Sequence, residues 1–81
     1  MMKTVNIRLS SIQDVRNFVD VVTKHNVEVD LSSGRYVVDA KSIMGIFSLD
    51  LLNPIALSVQ TEDAVAEEAL LADVKPFIVE A

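Results

Sequence analysis

The spacing of the apolar residues changes abruptly along this chain, and each change limits the folds that it can adopt. From Lys3 to Leu9, apolar and polar residues alternate, which is the period of a strand with one side in water. From Ile12 to Val22, the apolar residues recur at helical spacing, which predicts an amphipathic helix. A chain that passes from strand period to helix period in this way favours a mixed α and β domain.

The middle of the chain predicts a hairpin followed by a short helix. Alternation marks a second strand at Val27–Leu31, and a returning strand from Arg35 to Ala40 follows the turn residues Ser32, Ser33 and Gly34. A helix from Ile43 to about Leu49 comes next. Ser42 is placed as its N-cap, because serine oxygens accept hydrogen bonds from the free N–H groups of a first helical turn.

The last third predicts one more strand and one more helix. Ile55, Leu57 and Val59 alternate with polar or small residues as a fourth strand. Thr61 then caps a helix that runs to about Val74, before Pro76 ends it. Residues 77–79 favour strands but have no place in this layout, and the residues after Pro76 are expected to form a loosely attached tail.

The predicted order βαββαβα favours an α+β open-faced sandwich, in which the helices cover one face of a four-stranded, largely antiparallel sheet. The 81 residues are enough for one domain, residues 1–81, with one core. The residues expected in that core are Val5, Ile7, Phe18, Val19, Val22, Val29, Leu31, Leu57, Val59 and Leu70.

Composition excludes several classes of function. The net charge is −5 and the seven basic residues are scattered, so direct nucleic-acid binding is not expected. The chain has no cysteine and one histidine, which excludes thiol catalysis and disulfides and argues against a metal centre or cofactor. No segment predicts a membrane span or a signal peptide, so a cytoplasmic protein is expected. A paired-carboxylate hydrolase would need a cleft, which is not expected in so small a domain.

One segment carries a family resemblance. Lys41, Ser42, Ile43, Met44 and Gly45, followed by Ser48 and Leu49, resemble the regulatory-serine segment of the HPr family, the histidine-containing phosphocarriers of the sugar phosphotransferase system. The order of elements is similar over nearly the whole chain. The resemblance implies an HPr-like open-faced βαββαβα fold in a bacterial protein.

The phosphocarrier motif itself is missing. HPr-like phosphocarriers carry a loop of the pattern Gly-x-His-Ala-Arg-Pro, whose imidazole accepts phosphate. The corresponding stretch here runs from Leu9 to Asp14, with Ser11 in or beside the position of the histidine, and no residue of the motif is present. A serine would form a stable phosphoester, and Asp14 near the helix start would repel an incoming phosphate. The resemblance therefore implies a divergent member without phosphocarrier activity through histidine.

Ser42 is the residue with a distinct functional interpretation. The matching serine of the family is phosphorylated by a dedicated kinase, and the product docks on a transcription factor. This makes Ser42 a candidate for regulatory phosphorylation, Ile43, Met44 and Phe47 candidates for partner docking, and an HPr kinase or a transcription regulator candidate partners. The simpler interpretation is that Ser42 is only an N-cap and that the apolar residues belong to the core.

Three functions remain open from the sequence. The first is a regulatory or binding protein that acts through the Ser42 helix and is not an enzyme. The second is an atypical phosphoryl acceptor of the phosphotransferase system that uses Ser10, Ser11 or His25, although His25 is expected to have only a capping or surface role at the far end of the first helix. The third is a small-molecule sensing or oligomerisation domain whose similarity to HPr is only architectural. The sequence does not predict the oligomeric state.

Overall fold

The structure, a computed structural model, describes residues 2–79. The elements along the chain are β1 (Met2–Ile7), α1 (Ile12–Thr23), β2 (Glu28–Ser33), β3 (Tyr36–Asp39), α2 (Ile43–Phe47), β4 (Ile55–Gln60) and α3 (Ala64–Asp73), followed by a 3-10 helix over Lys75–Phe77. The predicted α+β class and the βαββαβα order are confirmed.

The four strands form one antiparallel sheet in the order β1-β4-β2-β3. The register aligns Val5, Leu57 and Leu31 in one row across three strands, and Thr4, Ser58 and Asp30 in the next. Because successive side chains point to opposite faces of a sheet, these rows give it one apolar face and one polar face. The polar face is the open one.

The core lies between the apolar face and the helices. Phe18 of α1, Ile46 of α2 and Leu70 of α3 are all fully buried there. The following residues of the predicted core are buried: Ile7, Phe18, Val22, Val29, Leu31, Leu57, Val59 and Leu70. Val5 and Val19 are half-buried and pack against them.

The β2–β3 hairpin turns at Gly34 and Arg35, between the paired residues Ser33 and Tyr36. Gly34 has a φ of 61°, and no non-glycine residue in the described part of the chain has a positive φ. A two-residue loop with glycine at its first position is a type II′ turn, whose twist matches that of the flanking strands. The turn sets the register that places Leu31 opposite Val38.

The predicted cap of the last helix is wrong by two residues. Asp63, and not Thr61, is the N-cap of α3, where its carboxylate accepts hydrogen bonds from the backbone N–H of Val65 at 3.0 Å and of Ala66 at 3.3 Å. Thr61 instead accepts from the N–H of Asp63 at 3.1 Å. An aspartate caps as well as a threonine and adds a negative charge at the positive end of the helix, which explains the shift.

The segment after Pro76 is attached to the sheet as far as Val79, so the expectation of a loose tail is wrong for these residues. The N–H of Arg8 donates to the carbonyl of Phe77 at 2.8 Å, and the N–H of Val79 donates to the carbonyl of Asn6 at 2.9 Å. The segment thus pairs with the outer edge of β1, which explains its β-favouring residues. The remaining tail residues, Glu80 and Ala81, lie outside the described residues.

Candidate functional site

The amino end of α1 carries Ser11, the residue predicted to match the missing histidine. Ser11 is the N-cap of the helix, in an extended conformation with φ −144° and ψ 166°. Its Oγ accepts a hydrogen bond from the N–H of Asp14 at 3.1 Å, and Oδ2 of Asp14 accepts one from the N–H of Ser10 at 3.0 Å. The hydroxyl and the carboxylate thus each accept from a backbone N–H at the start of the helix, in a variant of the capping box in which the second donor is Ser10, the residue before the N-cap.

This cap leaves little room for an anion at the start of α1. The N–H of Asp14 is bound by Ser11 Oγ, and the N–H of Val15 donates to the carbonyl of Ser11 at 3.1 Å. The carboxylate of Asp14 already lies at the positive end of the helix dipole. A phosphate on Ser11 would compete with this carboxylate for the same donors and would be repelled by its charge.

His25 lies at the opposite end of α1. Its ring nitrogen Nε2 is 2.7 Å from Oδ2 of Asp73, and its side chain is only 16% exposed. The contact joins the end of α1 to the end of α3. Since α1 has 12 residues, roughly 18 Å of helix separates His25 from Ser11. The single histidine therefore joins α1 to α3 at the end of α1 that is far from Ser11.

Ser42 is the N-cap of α2, as the spacing predicts. Its Oγ accepts a hydrogen bond from the N–H of Gly45 at 3.2 Å, and its carbonyl accepts one from Ile46 at 3.0 Å. Its own N–H donates to the carbonyl of Asp39 at 3.0 Å, which fixes the turn between β3 and α2. The residue is exposed. Its hydroxyl is therefore held at a defined place on the surface, at the start of a short helix.

Gly45 allows this cap to form. A Cβ added at Gly45 would lie 3.2 Å from Ser42 Oγ and 3.2 Å from Cβ of Val38. Both distances are shorter than ordinary van der Waals contacts. Glycine thus lets α2 approach β3 closely while Ser42 keeps its hydrogen bond.

The three docking candidates on α2 differ in exposure. Ile46 is buried, and Ile43 is half-buried and packs against the core. Met44 is 76% exposed and Phe47 is 41% exposed. Of the three candidates, Met44 and Phe47 therefore offer most of the accessible apolar surface.

An open groove continues from α2 to the start of α1. It is lined by Leu9, Ser10, Ser11, Ile12, Phe47, Leu51 and Leu52. Ile12, which its spacing places on the buried side of α1, is 67% exposed. It is the first residue of the helix, and its side chain points back past the edge of the core. We call Ile12, Phe47 and Leu52 the apolar surface.

Leu52 was not identified as a site residue from the sequence. It is 83% exposed in a loop held by Asp50, whose carboxylate accepts from the N–H of Leu52 at 3.0 Å and from the amide of Asn53 at 2.9 Å. Arg8 also donates to the carbonyl of Leu52 at 3.3 Å. The consecutive leucines 51 and 52 have no period that shows which one is exposed, so spacing alone could not have identified it.

The basic side chain next to Ser42 is directed away from its hydroxyl. The ammonium group of the adjacent Lys41 donates to the carbonyl of His25 at 2.8 Å and is directed toward the end of α1.

Among residues 2–79, no group of three or more histidine, cysteine or acidic side chains could hold a metal ion. Within the same range no helix is long and apolar enough to cross a membrane.

Comparisons with known proteins agree on one family. A family model described as "PTS HPr component phosphorylation site" matches residues 13–77. The crystal structure of HPr-C-His from Thermoanaerobacter tengcongensis is similar at 27% identity, with a TM-score of 0.69 over 93% of this chain and 91% of that one.

A second solved structure gives the same result. The phosphocarrier protein HPr from Bacillus anthracis is 28% identical, with a TM-score of 0.65 over 90% of this chain and 94% of that one. No curated protein sequence matches this chain.

Proposed function

The chain belongs to the HPr family, and from this premise we propose that it is a regulatory, protein-docking member that does not carry phosphate on a histidine. The family membership rests on a match over most of the chain. It removes the hypothesis that the likeness to HPr is only architectural. HPr proteins pass phosphate between other proteins and are not enzymes in themselves. We extend only the second property to the present chain and propose that it is not an enzyme.

The observation that carries the proposal is the cap formed by Ser11 and Asp14. At the position predicted to match the family's imidazole, this chain has the Ser11 hydroxyl, which accepts from the N–H of Asp14, and the Asp14 carboxylate, which accepts from the N–H of Ser10. A carrier needs a labile bond to phosphate, which an imidazole forms and a serine does not. His25 is bound to Asp73 at the other end of α1 and does not replace the missing group.

Ser42 supports a regulatory role for the surface around α2. Its hydroxyl is exposed at the start of α2, and a phosphate there would lie near backbone N–H groups and add close to two negative charges. The ammonium of Lys41 donates to the backbone carbonyl of His25 and not to Ser42. The charges of the phosphate would therefore be left for a partner to neutralise. We therefore propose that an HPr kinase modifies Ser42 and that the product is read by basic residues of a partner.

The same partner would contact the exposed apolar residues of α2 and the groove. Met44 and Phe47 lie on the helix that Ser42 caps, and Phe47 is shared with the apolar surface. Methionine adapts its shape to different contacts, and an exposed apolar patch beside a charge switch is typical of a docking site. A transcription regulator in the cytoplasm is the partner that we propose.

An HPr kinase assay tests this proposal. The chain is incubated with the kinase and ATP, with a genuine HPr in the same tube, and intact mass is measured. We expect a gain of one phosphate that is stable in acid, is lost in Ser42→Ala and is kept in Ser48→Ala, which changes a serine at the other end of α2. A genuine HPr that is modified while this chain stays unmodified would contradict the regulatory proposal.

A binding measurement with the phosphorylated chain separates docking from modification. Met44→Ser should weaken binding to the partner by about tenfold or more, whereas Val65→Ser should leave it unchanged. Val65 is a matched control because it is also 76% exposed, but on α3. Equal effects of the two substitutions would mean that α2 is not the docking helix.

A further inference from the structure

The two outer strands of the sheet differ in whether their free edges are covered. The outer edge of β1 is paired with the segment 77–79 through Asn6 and Arg8. The outer edge of β3 has no pairing strand in the described part of the chain, because β3 is the last strand of the sheet and pairs only with β2. Exposed edges are usually protected by lysine, proline or a bulge. β3 is only four residues long and has neither a lysine nor a proline, and it carries Tyr36 and Val37 at 70% and 66% exposure.

The hydrogen-bond alternation shows which groups of β3 face outward. The N–H of Ala40 donates to the carbonyl of Val29 at 2.9 Å, so this pair is bonded across β2 and β3. In an antiparallel ladder, bonded and non-bonded pairs alternate. Val38 therefore bonds to β2, while the backbone groups of Val37 and Asp39 point away from it.

The charges on the edge are self-complementary in one register. If a second copy of β3 runs antiparallel with Val37 opposite Val37, Arg35 of each copy lies opposite Asp39 of the other. A shift of two residues in one direction places Arg35 opposite Lys41, and a shift in the other places Asp39 opposite Ser33. Only the register centred on Val37 pairs opposite charges, and it is also one that brings the outward backbone groups of Val37 together.

We propose that the β3 edge is the interface of a homodimer, in which two copies of this chain pair antiparallel about Val37 to form a continuous sheet. The backbone N–H and carbonyl of each Val37 bond to those of the other copy. Arg35 lies in the hairpin turn just before β3, so it contributes its side chain and no hydrogen bond of the ladder. The Asp39 carbonyl already accepts from Ser42 at 3.0 Å, so the pairing does not depend on it.

The unpaired charge of Asp39 supports a second copy as the occupant. Asp39 lies directly opposite Asp30 on the open face, and like charges facing each other across strands are unfavourable. Asp30 is bound by the amide of Gln60, and Oδ1 of Asp39 accepts only from the backbone N–H of Lys41 at 2.8 Å. The single ion pair among the described residues joins His25 and Asp73. A guanidinium from Arg35 of another copy would offset this repulsion.

The interface uses none of the residues of the proposed docking site. Its test is therefore independent of the test of the proposed function. Sedimentation equilibrium of the full chain measures it from about 10 µM to about 1 mM, the range expected for a small interface. We expect a monomer–dimer equilibrium. Arg35→Glu should weaken it by about tenfold or more, because it places a glutamate opposite Asp39.

Two further variants and one control complete the test. Arg35→Glu combined with Asp39→Arg exchanges the charges and should restore dimerisation. Val37→Pro removes an N–H that points away from β2, so it should abolish the dimer without loss of the far-ultraviolet dichroism of the fold. Arg16→Glu makes the same change in net charge at an exposed position of α1 and should have no effect.

The proposal is overturned if the chain is monomeric throughout that range. It is also overturned if a dimer persists unchanged in both Arg35→Glu and Val37→Pro, since the interface would then lie elsewhere, for example on the apolar surface.

Discussion

Replacing Phe77 tests whether the segment after Pro76 is a part of the fold. The rings of Phe77 and Phe18 meet edge to face, with centroids 5.5 Å apart and an interplanar angle of 89°. Such pairs contribute about 0.5 to 1.5 kcal/mol beyond the area that they bury. Phe18 is fully buried, so Phe18→Ala should lower the free energy of unfolding by about 3 to 5 kcal/mol.

That loss is large for this chain. A domain of 81 residues has a total free energy of unfolding of about 4 to 12 kcal/mol. A gentler double-mutant cycle is therefore preferable, with Phe18→Leu, Phe77→Leu and the double variant measured by urea denaturation. We expect a coupling of about 0.5 to 1.5 kcal/mol between the two positions. Phe47→Leu, at a partly exposed ring, is the control and should lose less than about 1 kcal/mol.

The cycle refutes the reasoning if the coupling is below about 0.3 kcal/mol, the usual limit of additivity. Phe77 would then not be packed on α1, and the pairing of the segment 77–79 with β1 would be in doubt. A loss of less than about 1 kcal/mol for Phe18→Ala would show further that the buried face of α1 has been wrongly assigned.

Other substitutions test the caps and turns in the same denaturation assay. Ser42→Ala should lower the free energy of unfolding by about 0.5 to 2 kcal/mol and Ser42→Asp should restore most of it, because aspartate caps as well as serine; equal losses for both would mean that the hydroxyl does not cap α2. Ser11→Ala should have a similar cost without changing modification of Ser42 by an HPr kinase, and loss of that modification would connect the two sites. Gly34→Ala should cost about 1 to 2 kcal/mol through its positive φ alone, since nothing lies within 4 Å of the added Cβ; no loss would contradict the type II′ turn. Gly45→Ala should also destabilise, and combining it with Ser42→Ala should be less than additive, because the added methyl group crowds Ser42 Oγ.

Periodicity predicted the fold where one side of an element is buried along its whole length. The strands that hold Val29, Leu31, Leu57 and Val59 alternate because one sheet face meets the helices and the other meets water. The helix that carries Phe18 follows the same logic at helical spacing. These elements could be predicted without knowing which other elements they pack against.

Periodicity was misleading where an element ends. Ile12 has the right spacing for the core but stands at the first helical position, beyond the core edge, and is 67% exposed. Two residues near the start of α3 can cap, and spacing alone did not show that Asp63, with its negative charge at the positive end of the helix, would do so in place of Thr61. The segment 77–79 could not be placed because its partner is the edge of β1, which is distant in the sequence.

The candidate site shows the same division. The cap by Ser42 could be predicted from residue types alone, since it depends on local chemistry. The lack of a phosphate-accepting loop follows from residue types too, and it stays a prediction. The exposure of Met44 and the half-burial of Ile43 depend on how α2 packs against the core, and no local pattern of five residues specifies this. Leu52 became a site residue only through the loop that Asp50 and Arg8 hold in place.

The central claim is that this member of the HPr family does not carry phosphate on a histidine, and one phosphorylation measurement tests it most directly. The chain is incubated with the general phosphotransferase enzyme and phosphoenolpyruvate, together with a genuine HPr that reports that the enzyme is active. Intact mass is measured before and after brief exposure to acid. We predict that the genuine HPr gains one acid-labile phosphate and that this chain gains none, because Ser11 is a helix cap beside Asp14 and His25 is bound to Asp73. An acid-labile phosphate on this chain that is lost in His25→Gln would contradict the claim.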